Sequence, residues 1–405
     1  VQIDLKQAEA IKGQLKTLGV PVLRQTFDYL TVDIPGGLED RVRAVPGVVS
    51  IHPEARYGAL EFFIPVDRKL AEFQRLFRSN PLTGPLQAFK FIQEADQGKK
   101  RVPTSVSRVA VGADVADALD ITGKGVKVAC LDTGTDHLGV QGLYLGGKST
   151  VEGQPAPIDE VGHGYHVATT ISGHPFQSMR GLLQGVAVEA EVMAEKVLGW
   201  GLGMGTTTTI LRGMADAVEW GADIISMSLG GPEEDPGNPT DRIISALTKE
   251  GIIVVVAAGN SGPDAATLGT PGASPDSLTV GAVDIEGVIP SFSSRGPSKA
   301  GLIKPDVVAP GVNILSSTTG YIAVMQTADG PKLGAISGTS MATPTVSGCV
   351  ALALQYARAR GKRLTTDGIK QAMSMYGQYP GGSKRNDYGY GAIHFSILKR
   401  YIDNL

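Results

Sequence analysis

Four residues spread along this 405-residue chain are of the types that nucleophilic acyl transfer requires. Ser340 stands in Ser337-Gly338-Thr339-Ser340-Met341-Ala342-Thr343-Pro344, and His163 in Gly162-His163-Gly164-Tyr165-His166. Asp132 ends one apolar run, and Asn260 follows another in Ala257-Ala258-Gly259-Asn260-Ser261-Gly262. A serine hydroxyl is a poor nucleophile until a base takes its proton. The base needs a group that fixes its tautomer, and the developing oxyanion needs preorganised donors. Ser340 opens a stretch of small residues that reads as a helix, so its backbone N–H and the helix dipole are expected to face the oxyanion. Asn260 offers a side-chain amide as a second donor. Gly162 and Gly164 allow close approach to His163, the preferred base among six histidines. His166, three residues on, reads as a hydrogen-bonded structural residue.

Competing chemistries fit less well. The His-x-x-His spacing lacks the acidic or Cys ligand that would complete a zinc helix. Asp132-Thr133-Gly134 resembles half of an aspartic-peptidase site, but such a site needs two carboxylates sharing a proton, and no second copy exists. Cys130 and Cys349, the only cysteines, lie in apolar stretches and read as buried free thiols. Glu233, Glu234 and Asp235 read as a solvated loop, with a metal site as the alternative.

The elements that must position these residues alternate. Runs 126–131, 192–197, 224–227 and 252–257 read as buried strands, and 206–220, 240–249 and 340–360 as helices. That alternation predicts an α/β fold with a parallel sheet and helices on both faces, its functional groups beyond the carboxyl ends of strands. Residues 1–56 read as βαββαβ, a small α+β ferredoxin-like domain. Residues 57–103 form a Phe-rich insert with six of the ten phenylalanines: Phe62, Phe63, Phe73, Phe77, Phe89 and Phe91. Within it Leu70, Phe73 and Phe77 recur at helical spacing beside Arg68, Lys69, Arg75 and Arg78. Its apolar face is expected to pack on the protein's own domains, with a partner or assembly surface and a membrane surface as the alternatives. The remainder, 104–405, is the third expected unit.

A net charge of −3 with scattered Lys and Arg leaves no footprint for nucleic acid. No apolar run reaches the roughly 18 residues of a membrane span. No signal-like leader is visible at the start of the chain.

The order Asp132, His163, Ser340 and the segments between them resemble the subtilisin-like serine peptidases. The likeness runs from about Gly123 to Gly391. It includes Gly123-Lys124-Gly125-Val126, Ser226-Met227-Ser228-Leu229-Gly230-Gly231, Ser291-Phe292-Ser293-Ser294-Arg295-Gly296-Pro297, Lys304-Pro305-Asp306-Val307 and Ala309-Pro310-Gly311. The resemblance implies a serine endopeptidase that needs no cofactor for catalysis and acts on protein or peptide substrates. It implies an S1 pocket walled by Ser228, Leu229 and Gly230 and by Ala257, Ala258 and Gly259, favouring an uncharged residue. Gly203, within 201–205, would hold an extended substrate by backbone pairing. The N-terminal unit is similar to the family's inhibitory propeptide, through Phe27-Asp28-Tyr29-Leu30, Val32-Asp33-Ile34-Pro35 and Val45-Pro46-Gly47-Val48-Val49-Ser50-Ile51. A self-processing, secreted zymogen whose propeptide tail enters the cleft follows from that likeness. Departures are Tyr165 where Thr is usual, Thr169 where Gly is common and Thr345 where His often follows the Pro. Structural calcium is common in the family, but 172–185 lacks Asp, Glu and Asn. Two other readings stand beside the endopeptidase: a subtilase-fold structural or assembly protein with restrained or lost activity, and an exopeptidase.

Overall fold

Alternate side chains of each apolar strand enter different cores, as a sheet covered on both faces demands. Val128 and Cys130 lie in one core and Ala129 and Leu131 in the other; Ile253 and Val255 are separated from Val254 and Val256 in the same way. The computed structural model describes residues 1–59, 101–135, 146–179, 181–199, 203–322, 332–377 and 385–405. Its main sheet has six parallel strands, in spatial order Glu191–Lys196, Lys127–Asp132, Ile224–Met227, Ile253–Ala257, Leu278–Val283 and Val307–Pro310. Helices His163–Ser172, Thr339–Arg358 and Phe395–Asp403 supply one core, and Thr207–Trp220 and Pro239–Glu250 the other.

The helix boundaries have local causes. Thr206 and Thr209 form a reciprocal capping box, and the Asn238 side chain accepts from Asp241 N–H with Pro239 in the first turn. Gly221 and Gly251 end the two helices at φ +80 and +97, where a left-handed residue is required. Two sheet strands, Leu278–Val283 and Val307–Pro310, are additional to the four expected.

The N-terminal unit is the expected small α+β fold. Its four strands lie in the order Val22–Thr26, Tyr29–Val32, Gln2–Ile3, Val48–Ser50, all pairs antiparallel, with helices Ala8–Thr17 and Glu39–Arg43. Ile3, Ile11, Leu15, Leu30 and Val42 form its own core. It sits on the paired helices of the larger region: Arg242 donates to Gln2 Oε1 at 2.9 Å, Thr31 and Thr208 hydroxyls are 3.0 Å apart, and Thr208 N–H donates to Glu54 Oε1 at 3.1 Å.

Arg56–Ala59 is a strand lying between Met204–Thr206 and Leu229–Pro232, antiparallel to both. The Phe-rich stretch from Phe62 to Phe91, and with it the helix expected around Leu70, Phe73 and Phe77, lies outside the described residues. Val102–Pro103 then pairs in parallel with Ile314–Leu315.

Candidate active site

The chain's first strand in the main sheet, Lys127–Asp132, has its successor on one side and the third strand on the other. A crevice therefore opens at the carboxyl ends where the winding reverses. Asp132 is the last residue of that strand, Ser228 follows Ile224–Met227, and Asn260 lies just past Ile253–Ala257.

His163 begins its helix, and its Nδ1 lies 2.6 Å from Asp132 Oδ1, with both side chains buried. A carboxylate only accepts, so the Nδ1 proton is held there and Nε2 is left as the basic nitrogen. Thr133 N–H also donates to Asp132 Oδ1, at 2.7 Å, which fixes the carboxylate in turn. Both glycines beside His163 answer to backbone contacts. A Cβ on Gly162 would fall 2.0 Å from Thr319 O, at φ +101, and one on Gly164 would fall 2.2 Å from Gly134 O.

Asp159, which the sequence reading did not single out, ties this loop together. Its Oδ1 accepts from Thr133 Oγ1 at 2.8 Å, Val161 N at 3.0 Å and Gly162 N at 2.7 Å, and its Oδ2 from Tyr165 N at 2.9 Å. Thr133 Oγ1 accepts from Gly164 N–H at 2.8 Å, so the segments carrying Asp132 and His163 are joined through one carboxylate and one hydroxyl. Burial raises the Asp159 pKa against the lowering effect of its donors. Lys196 braces the same loop from below, donating to Thr133 O at 2.8 Å, Ile158 O at 2.9 Å and Glu160 Oε2 at 2.8 Å. An Asp shortly before a helix start was the one available sequence signal for Asp159.

Ser340 lies in the first turn of Thr339–Arg358, where backbone N–H groups have no carbonyl within the helix. Its Oγ donates to Ser228 O at 3.1 Å, and Ser228 Oγ donates to Ser340 O at 2.9 Å. Thr339 donates to Asn260 Oδ1 through both its N–H and its hydroxyl, each at 2.9 Å. Two donors on one end identify that end as the oxygen and leave Nδ2 as the donating end of the Asn260 amide.

The expected cleft residues divide. Gly203 O accepts from Ala59 N–H at 3.2 Å; Leu229 pairs with Ala59 and Gly230 with Gly58. Gly203 is at φ +69, and a Cβ there would meet Thr133 Cγ2 at 2.7 Å. Gly201 and Leu202 lie outside the described residues. Ala258 and Gly259 make no pairing with Arg56–Ala59 among the described residues. Ala258 N–H donates to Val280 O, and Gly259 N–H to Thr339 Oγ1, so they brace the Asn260 turn.

Other residues have structural settings. His166 Nε2 lies 3.0 Å from Ile314 O, and burial drives its pKa down to about 3. Tyr165 is buried, with its N–H on Asp159. Thr169 Oγ1 lies 2.9 Å from Ser316 Oγ, and Thr345 donates to Met341 O at 3.1 Å. Cys130 and Cys349 are buried free thiols, with pKa values raised by desolvation. Glu233, Glu234 and Asp235 diverge: Glu233 accepts from Lys299 N–H, Glu234 from the Tyr57 hydroxyl, and Asp235 faces Lys299 Nζ. Among the described residues no three His, Cys, Asp or Glu side chains converge on a metal position. The stretch without carboxylates holds the hairpin Phe176–Ser178 and Gly181–Leu183.

Asp132 with His163, and Ser340 with Ser228, lie at the carboxyl edge of a parallel α/β sheet, the arrangement a serine-type hydrolase would use. Residues 123–391 match the model of the subtilase family, and the chain belongs to that family. It is 37% identical over 303 residues to the serine protease AprX of Bacillus subtilis (strain 168), covering 69% of this chain and 67% of that protein. Over 255 residues it is 40% identical to subtilisin Savinase of Lederbergia lenta, covering 63% of this chain and 84% of that one. It is 38% identical over 248 residues to the major intracellular serine protease of Bacillus subtilis (strain 168), with 59% and 71% covered. The chain is a serine endopeptidase, its substrates are peptides, and the family needs no cofactor for catalysis. Among the described residues no helix is long and apolar enough to cross a membrane.

Proposed function

We propose that Ser340 is the nucleophile, His163 the general base and acid, Asp132 the group that orients His163, and Asn260 with the Ser340 N–H the oxyanion donors. The observation that carries this is the buried His163 Nδ1 to Asp132 contact of 2.6 Å at the carboxyl edge of the sheet. With the proton held on Nδ1, Nε2 takes the Ser340 proton as Oγ attacks the scissile carbonyl. The carbonyl oxygen becomes an anion met by Asn260 Nδ2 and the helix start. Collapse expels the amine, which receives the proton from His163, and water then releases the acyl group by the reverse path.

We further propose that the chain is a self-processing zymogen. Residues 1–56 act as its inhibitor, 57–103 carry the processing region and an assembly surface, and 104–405 are the catalytic unit. The strand Arg56–Ala59 supports this, because it occupies the place between two cleft segments that a substrate strand would take. Internal chain in that position favours cleavage within chains over removal of end residues. An extracellular site of action belongs to this proposal; assay of culture medium against cell lysate tests it. Autoprocessing is tested by incubating the purified chain with and without a serine-directed phosphonate and reading new N-termini by mass spectrometry. Phosphonate-sensitive termini between residues 57 and 103 are expected; unchanged chain in both arms counts against self-processing.

A further inference from the structure

The strand in the cleft carries one side chain whose surroundings are unlike a plain apolar pocket. Tyr57 is 1% exposed and belongs to the core that holds Leu211, Leu229 and Ile243. At the inner end of its ring the hydroxyl donates to Glu234 Oε1 at 2.7 Å and lies 3.0 Å from Thr240 Oγ1. Glu234 follows the cleft strand Leu229–Pro232, and Thr240 is in the first turn of Pro239–Glu250, so both belong to the catalytic region. Thr240 is fully buried, and its hydroxyl has no other side-chain or backbone partner among the described residues.

We infer that the cleft contains a pocket that reads a tyrosine hydroxyl in its bound peptide, with Glu234 and Thr240 as specificity-determining residues. The inference rests on the peptidase reading above and names the class of peptide that site prefers. Register sets the position. Tyr57 is opposite Gly205, Gly58 opposite Gly230, and Ala59 opposite Leu229, whose predecessor Ser228 exchanges two hydrogen bonds with Ser340. A substrate in the same register brings its next residue opposite Ser228, beside the nucleophile. The tyrosine is then the fourth residue on the amino side of the scissile bond. Apolar walls accept the ring of tyrosine or phenylalanine alike, but phenylalanine leaves a half-buried carboxylate and a buried hydroxyl without their partner. A phosphotyrosine brings two negative charges against Glu234 and is excluded.

The test uses fluorogenic peptides that differ only at that fourth position, with tyrosine, phenylalanine or phosphotyrosine. They are hydrolysed by the incubated wild-type chain and by its Glu234→Ala and Thr240→Val variants. Because a hydrogen bond to a charged group is involved, wild type should favour tyrosine over phenylalanine by roughly ten- to a hundredfold in kcat/KM. The ratio should collapse toward one in Glu234→Ala, and phosphotyrosine should be the poorest substrate. A wild-type ratio near one, or a ratio kept in both variants, overturns the pocket. A second arm needs no catalysis: hydrogen exchange of residues 55–59 in the full chain carrying Ser340→Ala, with and without Tyr57→Phe. Exchange about tenfold faster in the phenylalanine form supports the pocket, and equal exchange overturns it. Absence of hydrolysis with every peptide would count against the peptidase reading alone, and this arm still decides the pocket.

Discussion

Replacing Asp159 by alanine removes the carboxylate that accepts four buried hydrogen bonds, from Thr133 Oγ1, Val161 N, Gly162 N and Tyr165 N. Each orphaned buried donor costs about 1–3 kcal/mol. The space vacated is about that of one water, which can meet roughly two of the four donors. A loss of about 2–6 kcal/mol therefore follows, a large part of a typical stability of about 5–15 kcal/mol. Asparagine keeps the oxygen that takes three of the donors and sets an NH₂ against Tyr165 N–H, costing about 1–2 kcal/mol. The pH dependence has a definite sign. Burial raises the folded-state pKa of Asp159 above 3.8, so its stabilising contribution is fullest below that value and is lost as pH rises through the folded pKa. The deficit of Asp159→Asn should accordingly shrink as pH rises above about 4. Because the same donors place His163, Asp159→Ala should lower kcat about a hundredfold with little change in KM. Denaturant unfolding in a Ser340→Ala background gives the stability, and peptide hydrolysis by the otherwise wild-type enzyme gives kcat. Wild-type stability and turnover in the alanine variant would refute the reasoning. Lost stability with unchanged turnover per folded molecule would show that Asp159 holds the fold but not the site.

His166, neutral and buried with a pKa of about 3, favours the folded state above 6.5, and that contribution drains away as pH falls from 6.5 toward 3. His166→Gln, which keeps a donor for Ile314 O, should flatten the acid limb of an unfolding-versus-pH curve by up to about 1.4 kcal/mol per pH unit. Asn260→Ala should cost about 10²–10³ in kcat, the loss subtilisin itself shows when its oxyanion amide is removed; steady-state kinetics should find KM nearly unchanged. Gly162→Ala places a methyl 2.0 Å from Thr319 O at φ +101, and thermal unfolding should register a loss above about 1 kcal/mol together with impaired hydrolysis.

The alternation of the larger region was legible because its apolar strands are short and its helices carry local start and stop signals. Thr206 with Thr209, and Asn238 with Pro239, bound two helices to within a residue or two of the expected limits. Strands Leu278–Val283 and Val307–Pro310 were less visible, since Gly281 and Pro310 interrupt the apolar pattern in so few residues. The candidate residues Asp132, His163, Asn260 and Ser340 each stand in a distinctive local run, so their types and order were readable. Asp159 was not, because its role depends on donors that folding gathers from separate segments. Arg56–Ala59 carries no strand pattern of its own, and its partners at Met204–Thr206 and Leu229–Pro232 are remote in sequence. The acidic run at Glu233, Glu234 and Asp235 reads alike along the chain, yet its three carboxylates find different partners once folded.

The most direct test of the proposed chemistry is covalent labelling by a serine-directed phosphonate, with the adduct located by mass spectrometry and hydrolysis followed in parallel. A single adduct on Ser340 is predicted, absent from Ser340→Ala and strongly slowed in His163→Ala, with hydrolysis lost in step. An adduct on another serine, or wild-type hydrolysis by Ser340→Ala, would contradict the assignment.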